Sequence, residues 1–284
     1  MPPGERNDGD VSVVVVAHNS GATLADCVDR VLAQTALHEL IVVDNGSVDG
    51  SIEALPTVPA LRLLRQPDNP GFSVACNRGT ELAGGRILLF LNPDCLLEPG
   101  MLARLAQHLD ADPALTVLGA QLLDVDGTPQ AAARRLSPTP ARILGGRWRK
   151  AAQADADTEP AIVEVEAVSG ALMAMSRNGF ERLGGFDEGY RLHCEDLDLC
   201  RRALLAGGKV AVATDVRPVH VKGVSSRRRP VWVEWHKHRG MCRYFRKFDA
   251  TASPLWLRLI VPLGIAARFP LAAVRAWLAA RRVG

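Results

Sequence analysis

Two oxygen-bearing side chains follow directly after an apolar run that has the length of a buried strand. The run is ILLFL at residues 87–91, and Asn92 and Asp94 come after it with only Pro93 between them. A buried carboxylate is costly unless solvent, a hydrogen bond or a cation stabilises it. Two oxygen ligands at this spacing suit a hard divalent ion that carries a diphosphate. Asn-Pro-Asp is also good turn chemistry, so a purely structural turn stays open as the alternative.

A second acidic group opens a stretch whose apolar residues recur at helical spacing. Its sequence is Glu195-Asp196-Leu197-Asp198. Acids in the first turn of a helix are stabilised by the helix dipole, so helix capping explains part of the pattern. Three carboxylates in four residues exceed what capping needs. They predict a general base held near a reacting hydroxyl.

An imidazole and several arginines follow a predicted strand further along the chain. His220 ends that strand and is soon followed by Arg227 and Arg228. The imidazole could complete a coordination sphere begun by Asp94, and the arginines could hold a phosphate through paired hydrogen bonds. A solvated surface histidine is the alternative.

Two further segments carry side chains suited to a nucleotide. Asp44 ends the run ELIVVD and could accept a hydrogen bond from the ring N–H of a pyrimidine, although DNGS is equally typical of an Asx turn. In NPGFSVACNRG, which begins at Asn69, a loop leads into a helix. Gly71 permits a close approach of the backbone, and Asn77 lies on the same side one or two turns later.

The first 120 residues alternate apolar, β-branched runs with amphipathic helical patterns. This alternation predicts an α/β fold with a Rossmann-like, mostly parallel sheet and helices on both faces. Ligands of such sheets gather at the carboxyl ends of the strands, where the polar residues above are found. No GxGxxG and no GxxxxGK[ST] motif is present, which argues against dinucleotide oxidoreductases and nucleoside triphosphatases. The predicted strands of this half are residues 11–17, 39–43, 61–64 and 87–91, and its predicted helices begin near residue 22 and at Phe72.

The second half is less regular. Residues 118–130 are typical of a strand pair around Asp126-Gly127, and the proline-rich residues 134–160 predict a long loop that contains Arg147 and Trp148. Further predictions are strands at 161–168, 171–175, 209–213 and 216–219, and helices that end near Gly184 and span 195–206.

The composition places the chain among ordinary globular proteins. Of its 284 residues, 48% are hydrophobic and 23% charged, which excludes a disordered chain or a coiled coil. The six cysteines are scattered without a CxxC pair, so we expect a reducing compartment. The polar start MPPGERNDGD lacks the pattern of a signal peptide. We therefore expect residues 1–10 to be disordered and the protein to be cytoplasmic.

The C-terminal segment is strongly basic. From Arg217 onward there are 15 lysines and arginines against two acids, a net charge of +13, which leaves −10 on the preceding residues because the chain carries +3. A basic segment on an acidic body indicates an anionic partner, such as a membrane surface or a diphosphate. Nucleic acid is not expected, because long aliphatic stretches separate the basic residues.

The last thirty residues are apolar but interrupted by arginines and prolines. Their longest charge-free run, 259–267, is shorter than the ~20 residues of a spanning helix. Pro254, Pro262 and Pro270 are expected to break any helix there. Arginines beside Trp256 predict segments that lie in the headgroup region of a membrane. Helices packed on the body, or on a second subunit in a homodimer, are the alternative.

The order of these motifs resembles family 2 inverting glycosyltransferases of the GT-A fold, and within them the bacterial rhamnosyltransferase-like subgroup. The resemblance covers residues 11–226 and implies a nucleotide-sugar-binding half at 11–120 and an acceptor-binding half with the base at 121–226. Basic, apolar helices that could associate with a membrane surface would follow at 227–284. The segments that carry it are VSVVVVAHN, VVDNGSVDGS, NPGFSVACNRG, LFLNPDC, SGALMAMSRNGFERLGGFDEGY, CEDLDLCRR and HVKGVS.

The resemblance implies a role for individual residues on the donor side. Asp44 would hold the nucleobase, with His18 and Asn19 lining its pocket. Three more residues would lie beside the nucleotide and donor sugar: Asn69, Gly71 and Asn77.

The resemblance also implies which residues bind the metal ion and which residue acts as the general base. Asp94 would bind Mg²⁺ or Mn²⁺ in a DxD-type motif whose first position is Asn92, with His220 as a further ligand. Asp196 would deprotonate the acceptor hydroxyl, and Glu195 would contact the acceptor or support the base. Asn at the first DxD position supplies one charge fewer than Asp. At position 193, shortly before the acidic pair, the subgroup commonly has an aromatic residue, whereas this chain has His193.

The expected reaction transfers L-rhamnose from dTDP-L-rhamnose to a lipid-linked glycan or polysaccharide precursor of the cell envelope, at the cytoplasmic face of the inner membrane. Arg147, Trp148, Arg227 and Arg228 are candidates for phosphate or acceptor binding. A UDP-sugar donor (galactofuranose, N-acetylglucosamine or glucose) is one alternative, because thymine and uracil present the same N–H. An inactive paralogue that acts as an assembly subunit is the non-enzymatic alternative.

Overall fold

The computed structural model describes residues 10–145, 160–221 and 229–281. Eight strands form one mixed sheet in the order β3-β2-β1-β4-β10-β6-β11-β8. These strands are β1 (Val11–Ala17), β2 (Leu37–Asp44), β3 (Leu61–Arg65), β4 (Ile87–Leu91), β6 (Leu115–Ala120), β8 (Ile162–Glu164), β10 (Leu172–Ser176) and β11 (Lys209–Ala213). Short strands pair outside the sheet: β5 (Cys95–Leu96) with β12 (Val219–His220), and β7 (Arg134–Arg135) with β9 (Ala167–Val168).

Helices cover both faces of the sheet, as the alternation of apolar segments predicted. They are α1 (Thr23–Leu32), α2 (Phe72–Leu82), α3 (Met101–Ala111), α4 (Pro140–Gly145), α5 (Arg177–Arg182), α6 (Glu195–Leu205), α7 (Pro230–Phe248) and α8 (Leu255–Arg281). Helices α1 and α3 pack on one face, whereas α2, α6, α7 and α8 pack on the other.

The continuous apolar run of β1 follows from this two-sided cover. Alternate side chains of a strand point to opposite faces. Val13 and Val15 enter one core cluster, and Val14 and Val16 enter the other. A strand buried on both faces has no solvent-facing position, so VSVVVVA lacks the alternation typical of a half-exposed strand. Its one polar residue, Ser12, is buried and donates a 2.9 Å hydrogen bond to Glu39 Oε1.

The register of the parallel strands brings their polar ends to one edge. In the sheet Ala17 pairs with Asp44, and Val15 pairs with Leu91. The segments after β1, β2 and β4 therefore leave the sheet at the same level. Strand β10 is antiparallel to both β4 and β6, so its start, rather than its end, reaches this edge.

Three predictions for the second half were wrong in extent. The strand pair at 118–130 is β6 followed by a tight hairpin with a single bridge, Leu123 to Pro129. The stretch 134–160 is not all loop, because it contains β7 and α4. The strand expected at 216–219 is limited to β12, because the amide of Gln121 bonds Val216 O and Pro218 has no N–H to donate.

The prolines do not break the C-terminal helix. Helix α8 runs without interruption from Leu255 to Arg281, with Pro262 and Pro270 inside it and Pro254 just before it. Each internal proline removes one backbone hydrogen bond. Packing of the helix against α7 offsets that loss. By length and composition, α8 is the one helix of the described chain that could cross a membrane. Residues 1–9, for which disorder was expected, lie outside the described residues.

Candidate active site

An open cleft at the ends of β2 and β3 contains Asp44. Its volume is about 390 Å³, within the range of small-molecule sites. Asp44 is buried, and its Oδ1 accepts a 2.8 Å hydrogen bond from the amide of Ser47. That contact is the Asx turn that the sequence left open. A carboxylate keeps further lone pairs after accepting one bond, so the turn leaves Asp44 able to accept an N–H from a ligand. The cleft is lined by Asp44, Gly46, Ser47, Val48, Arg65, Gln66 and Pro67.

His18 and Asn19 fasten the β1–α1 loop to the loop that follows β2. Asn19 Oδ1 accepts the amide of Val48 at 2.9 Å, and the amide of Asn19 donates to Ser47 Oγ at 3.0 Å. His18 Nδ1 lies 2.9 Å from Asn45 O, and this carbonyl partner requires that Nδ1 carry the proton. Both residues thus shape the wall of the cleft. A direct contact with a nucleobase stays a prediction.

The segment at Asn69 and Gly71 lies against the loop that precedes α6. Asn69 Oδ1 accepts the amide of Gly71 at 3.1 Å. Gly71 has φ +111°, and a Cβ there would lie 2.7 Å from Arg191 O. Any side chain at this position would push the two loops apart. Gly71 is therefore required for the close approach that the sequence predicted, here to the protein's own backbone.

The half-buried side chain of Asn77 is bonded to the protein itself. Its Nδ2 donates to Phe186 O at 3.0 Å, and its Oδ1 accepts the amide of Phe186 at 2.9 Å. The side chain therefore ties α2 to the GGFDE segment. The structure gives no support to the predicted contact of Asn77 with the donor sugar, which stays a prediction.

Asp94 and His220 face each other, as the sequence predicted for a shared ligand. The antiparallel pairing of β5 with β12 places His220 opposite Cys95. Asp94 Oδ1 is buried and lies 3.2 Å from His220 Nε2. Within the described residues, Asp94 Oδ1 makes no hydrogen bond. Asn92 lies two residues before Asp94, and its backbone N–H donates a 2.9 Å hydrogen bond to Ala171 O.

The neighbours of His220 define which of its nitrogens carries the proton. Gln130 Nε2 lies 2.9–3.1 Å from three acceptors: Leu123 O, Asp124 Oδ1 and His220 O. The amide oxygen of Gln130 must therefore face His220 Nδ1, 3.0 Å away. Since that oxygen can only accept, Nδ1 is protonated, and in the neutral imidazole Nε2 presents a lone pair.

The two facing lone pairs fit a divalent cation. A carboxylate oxygen and an imidazole lone pair at 3.2 Å repel each other unless a proton or a metal cation lies between them. Two adjacent ligands of an octahedral ion with bonds of about 2.1 Å are roughly 3 Å apart. Histidine ligands typically donate their other N–H to an acceptor, as His220 does to Gln130. In the described part of the chain, no three acidic, histidine or cysteine side chains are arranged so that they could hold a metal ion, so a diphosphate and water would have to supply the other ligands.

The acidic pair Glu195-Asp196 begins α6 and is buried. His193 and Cys194, just before it, adopt left-handed backbone angles of φ +65° and +73°. Such angles are uncommon for residues other than glycine and cost free energy. They direct the first turn of α6 into the protein, where both acids are held away from bulk water.

Asp196 is oriented by three hydrogen bonds. Its Oδ2 accepts from Arg135 Nη2 and, at 2.9 Å, from the amide of Gly170. Its Oδ1 accepts the amide of Leu197 at 2.8 Å. Because each carboxylate oxygen has two lone pairs, one lone pair of Oδ1 is left to receive a proton. Gly170 must be small, since a Cβ there would lie 3.1 Å from Asp196 Oδ2.

Glu195 differs from its neighbour. Burial and the negative charge of Asp196 raise the pKa of Glu195 to about 8. Its Oε2 is buried and has no hydrogen-bond partner among the described residues. The raised pKa favours the protonated form of Glu195, which can donate a hydrogen bond, and makes Glu195 a less suitable base than Asp196.

Two backbone connections bring Asp196 to the same edge as Asp94 and His220. Asn92 N bonds Ala171 O, and the neighbouring amide of Gly170 bonds Asp196. The segment 130–135 makes a second connection, since Gln130 holds His220 and Arg135 holds Asp196. A residue of chain spans at most about 3.6 Å, so these short connections keep the facing pair and the acid pair in one region.

Helix α7 supports the acid pair from outside the sheet. Gly240 packs so closely that a Cβ would lie 2.9 Å from His193 O. Lys247 lies 2.7 Å from both Asp187 and Asp198, and Arg243 lies 2.7 Å from Asp187. These cations lower the pKa of Asp187 to about 2, although burial opposes the shift. The loop before α6 and α6 itself are thus fixed to α7.

The sequence patterns did not identify Gln130 and Arg135 as residues of the site. Both lie within or beside the stretch that was predicted as loop, and neither belongs to a recognised motif. The pair Arg134-Arg135 follows three alanines, and this charged pair in an apolar context was the signal that could have drawn attention to Arg135. The proposed phosphate or acceptor residues Arg147, Trp148, Arg227 and Arg228 lie outside the described residues.

The mixed α/β sheet and its flanking helices have the GT-A fold, as two solved structures show. A mannosyltransferase from Pyrobaculum calidifontis, solved with GDP-Man and Mn²⁺, aligns with a TM-score of 0.60 at 20% identity over 97% of this chain and 76% of its own. GalNAc-T7, solved with UDP, GalNAc and Mn²⁺, aligns with a TM-score of 0.65 at 20% identity over 83% of this chain, which spans about half (47%) of that protein.

The sequence assigns the family within this fold. The profile of glycosyl transferase family 2 matches residues 12–175, and the chain belongs to this family. It is 30% identical over 244 residues to the N-acetylglucosaminyl-diphospho-decaprenol L-rhamnosyltransferase of Mycobacterium tuberculosis, with 77% of this chain and 78% of the relative covered. The protein is therefore a family 2 glycosyltransferase of the rhamnosyltransferase-like kind.

Proposed function

We propose that this protein transfers L-rhamnose from dTDP-L-rhamnose to a lipid-linked glycan precursor, with inversion at the anomeric carbon and with a divalent metal ion. The donor and acceptor are taken from the mycobacterial relative, whose name states both a rhamnosyl group and a lipid diphosphate. The observation that carries the chemistry is the buried pair of Asp94 Oδ1 and His220 Nε2 at 3.2 Å. A diphosphate donor with a bound cation is the ligand that such a pair suits.

The donor would bind along the carboxyl edge of the sheet. The pyrimidine would enter the cleft at Asp44, where the carboxylate can accept the ring N–H. Asp94 and His220 would hold the metal ion, either Mg²⁺ or Mn²⁺, at the diphosphate. The ion supplies positive charge that offsets the negative charge developing on the leaving nucleotide.

The acceptor hydroxyl would be activated by Asp196. The free lone pair of Asp196 Oδ1 receives the hydroxyl proton while the oxygen attacks the anomeric carbon from the face opposite the nucleotide. Attack from that face inverts the configuration. Arg135 and the amides of Gly170 and Leu197 hold the carboxylate still, so little reorganisation is needed at the moment of reaction.

Glu195 would contact the acceptor. In its protonated form it can donate a hydrogen bond to an acceptor hydroxyl without adding a second negative charge beside Asp196. This assignment fits the raised pKa of Glu195 and its unpartnered Oε2.

A donor screen tests the proposal. The purified full chain is incubated with Mn²⁺, a short-chain lipid-diphosphate N-acetylglucosamine acceptor and one nucleotide sugar at a time. We expect glycosylated lipid and released dTDP with dTDP-L-rhamnose, and neither product when EDTA replaces Mn²⁺. A higher kcat/KM with a UDP-sugar would show that the donor is that UDP-sugar rather than dTDP-L-rhamnose. Turnover that is unaffected by EDTA would contradict metal dependence, and no product with any donor would favour the non-enzymatic alternative.

The same proposal places the protein at a membrane surface, through α8. One stripe of this helix, Val261, Ile265 and Ala273, is buried. The opposite stripe is apolar yet exposed. It consists of Trp256, Ile260, Leu263, Leu271, Val274 and Leu278. A helix that packs lengthwise on the protein through one stripe cannot be surrounded by lipid, so we expect it to lie in the plane of the interface.

Vesicle flotation with matched variants tests this placement. Leu263 is 66% exposed on α8, and Leu205, at the end of α6, is 65% exposed. We expect Leu263→Glu to reduce the fraction that floats with anionic vesicles by at least about fivefold, because a carboxylate in the apolar stripe opposes insertion. Leu205→Glu serves as the control and should float like the wild type. Equal flotation of both variants would count against α8 as the membrane surface.

A further inference from the structure

A stripe of cationic and aromatic side chains runs along α7 outside the site described above. Trp232, His236, Arg239 and Arg243 occupy positions i, i+4, i+7 and i+11 of the helix. Residues at this spacing lie on one face of an α-helix. The rings of Trp232 and His236 are in contact, with centroids 4.2 Å apart.

Arg191 joins this stripe from the loop that precedes α6. Its guanidinium lies 5.9 Å from the centre of the Trp232 ring. Its Nη2 donates to Asn69 O, and its own carbonyl accepts the amide of Phe72 at 3.0 Å. Arg191 therefore links the stripe on α7 to the segment at Gly71, beside the proposed donor site.

The positive charges of this cluster are not neutralised. Within the described residues, no carboxylate forms an ion pair with Arg191, His236 or Arg239. Other cations of α7 differ in this respect, since Lys237 lies 2.8 Å from Glu234 and Arg243 lies 2.7 Å from Asp187. Partial burial, Arg191 and Arg239 lower the pKa of His236, so its neutral form is favoured and it contributes an N–H donor rather than a charge. Two guanidinium charges without a counter-charge favour an anionic ligand.

The cluster lies on the helix that contacts both α8 and the loop before the acid pair. Lys237 O, next to His236, is 4.0 Å from the sulfur of Cys194, two residues before Asp196. Trp235, on the adjacent side of α7, packs against Phe269 of α8 with ring centroids 5.5 Å apart. A ligand anchored in the interface by α8 would pass the cluster before it reached Asp196.

We infer that Arg191, His236 and Arg239 bind the diphosphate of the lipid-linked acceptor. Two guanidinium groups and an imidazole supply several N–H donors, the kind of group that the two phosphate groups of a diphosphate require. The donor diphosphate is assigned to Asp94 and His220, so the cluster is left for the acceptor. This inference rests on the proposed function for the identity of the acceptor, but binding of a lipid diphosphate can be measured without any donor.

Binding of farnesyl diphosphate, a short polyprenyl diphosphate, tests the inference on the full chain. We expect titration calorimetry to show at least a tenfold weaker Kd for Arg239→Gln and for His236→Ala than for the wild type. Arg182→Gln is the matched control, since Arg182 is an exposed arginine of α5, which begins at the opposite end of β4. It should bind like the wild type. Thermal unfolding of each variant verifies that the chain is folded.

Three further ligands identify the source of the anion. Inorganic pyrophosphate should bind more weakly than farnesyl diphosphate and lose affinity in the same two variants. Binding of dTDP with Mn²⁺ should stay within about twofold, and its loss would assign the cluster to the donor. If only phosphatidylglycerol vesicles bind the variants more weakly, the cluster contacts bulk lipid and the inference is wrong. Unchanged binding of farnesyl diphosphate to Arg239→Gln and His236→Ala also overturns it.

The outcomes separate this inference from the proposed function. Variant-sensitive binding of farnesyl diphosphate together with no transfer from any nucleotide sugar would leave the diphosphate site in place and overturn the proposed reaction. Transfer that proceeds with an unchanged acceptor KM in Arg239→Gln would leave the reaction in place and overturn the diphosphate site.

Discussion

Sugar transfer by the Asp196→Asn variant is expected to fall by about 10²- to 10⁴-fold, the range that a general base contributes. Asparagine retains the shape of the side chain but cannot take the proton of the acceptor hydroxyl. Asp196 lies in α6 and has no contact with the cleft at Asp44, so the Kd for dTDP should change by no more than a few-fold. Initial rates at saturating donor and acceptor, together with dTDP titration, measure both quantities.

Glu195→Gln is the matched control, because it alters the adjacent acid. Glutamine resembles the protonated form that the raised pKa of Glu195 favours at neutral pH, so transfer should stay within about tenfold of the wild type. Above pH 8 the wild-type Glu195 loses its proton and places a second negative charge beside Asp196. We therefore expect kcat/KM for the acceptor to decline above about pH 8 in the wild type but not in Glu195→Gln.

The opposite result would exchange the two roles. If Glu195 were the base, transfer would rise through pH 8 as its carboxyl ionised, and Glu195→Gln would be inactive. Near-normal turnover by Asp196→Asn, with the dTDP affinity retained, would then refute the assignment of the base to Asp196.

Asp94→Ala is expected to reduce transfer by at least about 10²-fold, because a metal ion that stabilises the leaving diphosphate contributes several kcal/mol. The variant should also require a higher Mn²⁺ concentration for half-maximal rate. His220→Ala should also reduce transfer and raise the Mn²⁺ concentration for half-maximal rate, since the Nε2 of His220 supplies the second protein ligand. Gln130→Leu should raise that Mn²⁺ concentration by about 10- to 100-fold, because it removes the acceptor that orients the imidazole.

Asp26→Ala is the control for these variants, since Asp26 is an exposed acid on α1. Its rate and Mn²⁺ dependence should equal those of the wild type. An Asp94→Ala variant whose Mn²⁺ dependence is unchanged would show that the ion binds elsewhere. The turn formed by Asn92-Pro93-Asp94 would then be the sole role of Asp94.

The first half of the fold was predictable because β1, β4 and most of β2 are buried, whereas the edge strand β3 is partly exposed. The buried strands are largely apolar, and the polar residues at or directly after their ends mark the edge of the sheet. Asp44 and Asp94 could therefore be placed before their surroundings were known. The pairing of His220 with Asp94 was also expected, although only the antiparallel contact of β5 and β12 explains how residues 126 positions apart meet.

The orientation of the site residues was not predictable, because it depends on contacts distant in sequence. Gln130 determines the tautomer of His220 from 90 residues away, and Arg135 holds Asp196 from 61 residues away. No local pattern predicts that a glutamine and an arginine in an irregular segment will reach those partners. Asn77 illustrates the converse, because a residue whose spacing favoured a ligand contact is bonded to the backbone of Phe186.

The C-terminal helix shows a tertiary contact overriding a local rule. Two internal prolines predicted a break, but the buried stripe of α8 packs on the protein on both sides of each proline. Burial of Val261, Ile265 and Ala273 against the protein opposes the loss of the two hydrogen bonds. The same contact links α8 to α7, and α7 in turn supports the loop before Glu195 and Asp196. A membrane-bound α8 would thus lie one helix away from the acid pair.

A crystal structure of the full chain with dTDP and Mn²⁺, with the anomalous signal of manganese recorded, tests the central claim most directly. We expect one manganese peak at the nucleotide diphosphate, in contact with both Asp94 Oδ1 and His220 Nε2, and the thymine in the cleft at Asp44. Nucleotide bound without manganese at these two atoms, or manganese bound to other residues, would contradict this claim.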